Sequence, residues 1–219
     1  MNETFESRLL RALGRVAVAT AAGIVLLWAL LVPNFSGCGR LNANESAAIA
    51  TLRNIHSAQT QFQATAAIDR DGDGRGEYGW FLELAGGAPL RGTGAALAVP
   101  LMSRAFARQH DGRVSRSGYW FVMWLPAQGG GWLAEGTTGA IDAEAAEAGF
   151  RCGAWPIAAD KARRAFFTDA EGSVWACNNS DWRYCGTERP LPGGVLVAPS
   201  AAAMASVLPT GSSDWYLVQ

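Results

Sequence analysis

The stretch Asn44-Glu45-Ser46-Ala47-Ala48-Ile49-Ala50-Thr51-Leu52-Arg53-Asn54-Ile55 decides how this chain is read. Apolar residues recur at Ile49, Leu52, Ile55, Phe62 and Ala66, with a break at Gln59. That spacing draws one apolar stripe along a helix. No proline falls between Asn44 and Ile68, so the helix is expected over about 44–67. A single stripe needs a partner surface, and a sheet further along the chain is the expected partner.

Upstream lies VAVATAAGIVLLWALLV, residues 16–32, 17 residues without a charge. This length is close to the lower limit for a membrane-spanning helix, and the expected span is 16–35. Arg8, Arg11 and Arg15 precede the run, whereas Arg40 alone follows it closely. Basic residues stay on the cytoplasmic side. The expectation is a single-pass protein, with residues 1–15 cytoplasmic and residues 36–189 a domain outside the cytoplasm. Residues 190–219 form a C-terminal tail whose Trp215-Tyr216-Leu217-Val218 adds a strand or docks on the domain. An alternative reading starts from Phe35-Ser36-Gly37-Cys38, which resembles a lipobox. Cys38 would then be the lipidated first residue of a lipoprotein binding module.

The whole chain has 219 residues, room for one ordinary domain plus an anchor. Its net charge of −1 gives no field for nucleic acid, and none is expected as a partner. Lys161 is the only lysine. The cysteines are Cys38, Cys152, Cys177 and Cys185, without a C-x-x-C pair. Disulfides fit an exported domain better than zinc does. Cys177 and Cys185 flank a short loop and are the expected pair, with Cys152 as a competitor for either. Nine tryptophans imply a filled core or an adhesive surface.

Strands are expected at 119–125, 150–157, 164–168 and 173–177, all rich in aromatic or β-branched residues. Asp169-Ala170-Glu171-Gly172 supplies a hairpin turn, and residues 140–149 a short helix.

One constellation carries chemistry. Asp69-Arg70-Asp71-Gly72-Asp73-Gly74-Arg75-Gly76-Glu77 has the D-x-D-x-D-G pattern of a calcium loop. Carboxylates at alternate positions can wrap a hard cation, and Gly74 permits the sharp turn. The candidate ligands are Asp69, Asp71, Asp73, the Arg75 carbonyl and Glu77 at the ninth position. The twelfth position, usually a bidentate glutamate, is Trp80, so an EF-hand is not expected. The alternatives are a looser, structural calcium loop and a solvated acidic turn. His56 and His110 stand in no catalytic motif, and no enzyme activity is expected.

The ordered motifs carry a family likeness. Val32-Pro33-Asn34-Phe35, then Asn44-Glu45-Ser46-Ala47, then Thr51-Leu52-Arg53-Asn54-Ile55 with Ala58-Gln59, resemble type IV pilins and type II secretion pseudopilins. They are most similar to a group of pilin-like bacterial proteins of unknown function. Ser117-Gly118-Tyr119-Trp120-Phe121-Val122, Ala154-Trp155-Pro156, Arg164-Ala165-Phe166-Phe167 and Glu171-Gly172-Ser173-Val174-Trp175-Ala176 follow in the order of that group. The resemblance implies an α+β fold: a long N-terminal helix, its first half in the membrane, packed by its second half on an antiparallel β-sheet head. It implies a non-enzymatic protein that meets other envelope or pilin-like proteins in a homo- or hetero-oligomer of secretion or pilus type. It implies further that the membrane is a bacterial inner membrane and the domain periplasmic. One departure stands out. The peptidase site of pilins is missing, and Val16 occupies the place of their assembly glutamate.

Overall fold

The structure is a computed structural model. It describes residues 5–179, 181–193 and 215–218; the side chains of residues 5–12, 14 and 27–38 lie outside that description. The chain divides into two units, Met1–Asn42 and Ala43–Gln219. Helix α1, Phe5–Ala64, contributes to both.

In the first unit the described side chains of α1 are exposed, among them Val16, Val18, Ile24, Val25 and Leu26, except Leu41, which is half-buried. The expected membrane-spanning helix over 16–35 is corrected. Among the described residues no helix is long and apolar enough to cross a membrane. The fold is thus an antiparallel sheet with a few helices, and the membrane-spanning half of the expected pilin-like architecture is not supported.

In the second unit, α1 buries Ala48, Leu52, Ile55, Ala58 and Phe62. The stripe follows the expected line at Leu52, Ile55 and Phe62; at its start Ile49 is only partly buried and Ala48 is buried instead. Gln59 is no break at all. Its side chain is wholly buried, donates to the Gly79 carbonyl (2.7 Å) and accepts from the Gly79 N–H (2.9 Å). A buried amide that pairs both of its ends costs little and fixes position.

Among the described residues seven strands form one antiparallel sheet: β1 Arg113–Arg116, β2 Tyr119–Pro126, β3 Trp132–Ala134, β4 Arg151–Pro156, β5 Arg164–Asp169, β6 Val174–Asn178 and β7 Trp215–Leu217. The order is β1-β2-β4-β5-β6-β7, with β3 also on β2. The four expected strands are β2, β4, β5 and β6. Trp215, Tyr216 and Leu217 pair with β6 as the sheet's last strand. Short helices α2, Phe81–Leu84, and α3, Ala143–Ala148, and a 3-10 turn, Arg104–Ala107, fill the connections.

Side chains alternate across the sheet. Tyr119, Phe121, Met123 and Leu125 of β2 join Cys152, Ala154, Phe166, Val174 and Ala176 in the core beneath α1. Val122, Trp124, Trp155, Ala165, Phe167 and Cys177 form a second cluster, with Leu191. Trp120, Trp132, Trp175 and Trp215 pack around it half-buried. Trp155 is thus core, and Trp120, Trp132, Trp175 and Trp215 lie toward the surface. Gly153 of β4 makes this possible. A Cβ there would meet Leu191 at 2.6 Å and the Trp124 ring at 2.9 Å.

Two carboxylates anchor helices to the sheet. Glu45 is buried and accepts from the backbone N–H groups of Arg163 (3.0 Å) and Arg164 (3.2 Å) and from Arg164 Nε (2.7 Å). Next to it, Asn44 donates to the Lys161 carbonyl (2.9 Å). Glu135, after β3, accepts from the N–H groups of Phe81 and Leu82 that open α2, and from Gln109. Burial pushes the Glu135 carboxyl up to about 7, against the three N–H donors that hold it down.

Glu45→Ala leaves the Arg164 guanidinium and two backbone N–H groups without their acceptor. It is expected to lower stability by about 2–3 kcal/mol in denaturant unfolding, with Glu45→Gln losing less. For Glu135 the sign follows from linkage. Its folded pKa stands above its unfolded one, so the folded state binds the proton more tightly between about 4.3 and 7. The stability this gives is full below the lower value and falls as pH rises through about 7, by up to roughly 3 kcal/mol. Unfolding free energy measured from pH 4.5 to 8 should show that decline, and Glu135→Gln should flatten it.

Candidate metal site

Helix α1 ends at Ala64, and Ala66 takes a left-handed backbone, φ 48°, that turns the chain. Ile68 then buries itself among Phe62, Leu84 and Leu90. The Glu77 N–H donates to the Ile68 carbonyl (2.9 Å) and closes the segment between them into a loop. Gly76 seats that loop on the end of α1, where a Cβ would stand 1.9 Å from the Gln63 carbonyl oxygen. The D-x-D-x-D-G motif is therefore the corner between helix and sheet domain.

Within the corner the aspartates order the backbone. Asp69 accepts from the N–H groups of Gly72 (2.8 Å) and Gly74 (3.1 Å), and Asp73 accepts from the Arg75 N–H (2.7 Å). Gly72 and Gly74 have φ of 77° and 88°, a region side chains avoid. The result brings carboxylate oxygens of Asp69, Asp71 and Asp73 within 4.8 Å of one another. Three like charges at that spacing repel by on the order of 1 kcal/mol per pair even in water-like surroundings. A hard divalent cation takes six to eight oxygens and removes that repulsion.

Glu77 does not join them. Its side chain is buried; Oε1 accepts from Arg70 Nε (2.8 Å) and Oε2 lies 3.6 Å from Arg91 Nη1. Arg91 continues to Glu83 (3.0 Å) and to the Tyr78 carbonyl. The ninth-position carboxylate of the motif is thus bound into an arginine–glutamate network under the loop. Trp80, at the twelfth position, is the N-cap residue of α2. Of the expected ligands, the structure gathers three aspartates, keeps Arg75 beside them, and turns Glu77 inward.

A residue outside the motif faces the corner instead. A cavity of about 600 Å³ opens between the end of α1, the loop and α3, lined by Gln63, Gly74, Arg75, Glu144 and Glu147. Gln63 donates to the Glu147 backbone carbonyl, and the Tyr78 N–H donates to the Ala146 carbonyl (2.9 Å), so α3 is tied to both sides of the loop. The Glu147 side chain is 6 % exposed, and Arg75 Nη1 lies 4.0 Å from its Oε2. Its Oε1 is buried and has no hydrogen-bond partner. Its pKa is raised, first by burial and then by the charges of Asp73 and Asp71, while Arg75 opposes the shift. Sequence reading placed Glu147 on a solvated helix face. The composition of α3 gave no sign that this residue is buried beside Arg75.

The remaining expected residues lie apart. Cys177 is buried on β6, and Cys185 follows in a segment bridged to Arg189. No disulfide joins these two in the structure. Cys152 is wholly buried on β4, and burial holds its thiol well above the ordinary range. Cys38 falls within α1, and its side chain lies outside the described residues. His56 packs over Gly172 and meets the Ala170 carbonyl at 3.2 Å, a brace for the β5–β6 hairpin. His110 is exposed beside Asp111.

No family model matches the chain, and neither a curated protein nor a solved structure is detectably similar to it.

Proposed function

We propose that this chain is a non-enzymatic protein of the bacterial envelope, with its sheet domain on the periplasmic side, that works through protein–protein contact and is stiffened at its helix-to-sheet corner by calcium. The observation that carries the cation part is the convergence of Asp69, Asp71 and Asp73 within 4.8 Å on a loop already shaped by glycines. The role is structural: a bound cation fixes the direction in which the chain leaves α1 for the sheet. The contact part rests on the ordered likeness to pilins and pseudopilins. It also rests on the polar face of α1, where Arg53, Asn54 and Gln61 are exposed. Beside that face runs a groove of about 340 Å³ lined by Asn54, Ser57, Gln61, Met102, Phe106 and Arg116. Polar helix residues rimming a few apolar side chains suit a partner held by a small hydrophobic centre and a polar rim.

Two measurements test the reading. Millimolar calcium, relative to chelator, is expected to raise the midpoint of thermal unfolding by several degrees, and calorimetric titration to give one site per chain. No shift and no heat would remove the cation from the proposal. A photo-crosslinking residue at Asn54, in cells making the full chain, is expected to trap a discrete protein adduct that the same probe at exposed Val99 does not. Equal labelling at both positions, or none, would count against contact through the α1 face.

A further inference from the structure

We propose that the cavity between the end of α1, the corner loop and α3 binds a guanidinium group on an alkyl stem, with the Glu147 carboxylate as its acceptor. This site is separate from the aspartate triad, none of which lines the cavity, and the inference needs no metal there.

The cavity has the size of a small-ligand site, about 600 Å³. Ala64, Ala66 and Ala148 give it short apolar walls, and Glu144 and Glu147 give it its acids. Residues 144, 147 and 148 share one face of a helix, and all three line the cavity, so α3 turns that face inward. The walls are held in place. Gln63 donates to the Glu147 carbonyl, and Asp142 caps α3 through the Ala145 N–H (3.0 Å).

Glu147 is the group that calls for a ligand. Its side chain is almost wholly buried, and its Oε1 has no hydrogen-bond partner, which is uncommon for a buried oxygen. Arg75 also lines the cavity, and its Nη1 stands 4.0 Å from Oε2, too far for a hydrogen bond. Most of the Arg75 side chain stays exposed. An ionised carboxylate only accepts, so the group that satisfies it must donate. The charges of Asp73 and Asp71 act on Glu147 as well, and Arg75 opposes them. Negative surroundings favour a cationic donor over a neutral one. A guanidinium offers parallel N–H groups to both oxygens of one carboxylate, where an ammonium is a point charge. Its stem then lies against the alanines. Arg75 is the competitor that the protein itself supplies for the same acid.

The test titrates the full-length chain, in chelator, with three probes: Nα-acetyl-arginine methylamide, its uncharged citrulline counterpart and free 4-guanidinobutylamine. Wild type is expected to bind a guanidinium probe at one site and not the citrulline. Glu147→Gln should weaken that binding by about 10-fold or more, the worth of a charge-assisted hydrogen bond. Arg75→Ala, a change at an exposed side chain, should strengthen it by about two- to fivefold, since it removes a weak competing ion pair. Tighter binding of the blocked arginine assigns the group to the side chain of a partner protein. Tighter binding of the free base assigns it to a small molecule, and either result supports the site. Equal binding of the citrulline would overturn the proposal, as would unchanged affinity in Glu147→Gln or weaker binding in Arg75→Ala. So would the absence of binding by all three probes. A parallel titration with calcium keeps the two sites apart. Calcium binding that Glu147→Gln abolishes would overturn the proposal by making the cavity a metal site, whereas calcium binding that ignores Glu147 leaves the guanidinium assignment to its own probes.

Discussion

The stripe of α1 that faces the sheet is the constraint on which the second unit depends. Ala48, Leu52 and Ile55 cover one face of an antiparallel sheet whose strands direct every second side chain toward them, and Phe62 packs with Ile68, Leu84 and Leu90. Hydrophobic burial is not directional and would allow the helix to slide or rotate. Two polar contacts remove that freedom. Glu45 binds the start of β5 at one end, and Gln59 pairs with both backbone groups of Gly79 nearer the other. Apolar area supplies the driving force, and these few buried polar atoms select one register.

The same division of labour governs the acids. Glu45, Glu77, Glu83 and Glu135 are buried and meet arginines or backbone N–H groups. Asp69, Asp71 and Asp73 instead turn some oxygens to their own loop and share the rest with one another. Arg70 and Arg91, the cations that might have neutralised them, are committed to Glu77 and Glu83. The corner therefore carries a concentrated negative charge beside a chain whose net charge is nearly zero. Glu147 adds to it from across the cavity.

Much of the second unit could be read from the sequence, and the misses have identifiable causes. Tyr119–Pro126 and Arg164–Asp169 were legible because buried strands concentrate aromatic and β-branched residues. β1 was not, because Arg113-Val-Ser-Arg116 has one buried side chain and pairs on a single side; its cue was the Ser117-Gly118 turn, where both residues have positive φ. Gln59 read as a flaw in the stripe, because periodicity scores polarity and cannot foresee that Gly79 will satisfy it. The uncharged run over 16–32 suggests a membrane span, yet among the described residues no helix is long and apolar enough to cross a membrane. The triad was visible from spacing, since one loop holds all of it. Neither the inward turn of Glu77 nor the approach of Glu147 is local, and both depend on contacts that only the folded chain creates.

Cys152 carries a last consequence. Its sulfur sits in the core beneath α1, wholly shielded, and burial keeps the thiol protonated. Thiol exchange needs a thiolate and an open approach, and the folded domain provides neither. In an oxidising compartment, this cysteine is exposed to wrong partners only while the chain is still unfolded. Closing α1 over the sheet thus sets a time limit on its chemistry: after closure, the rate at which Cys152 reacts measures how often the domain comes fully open.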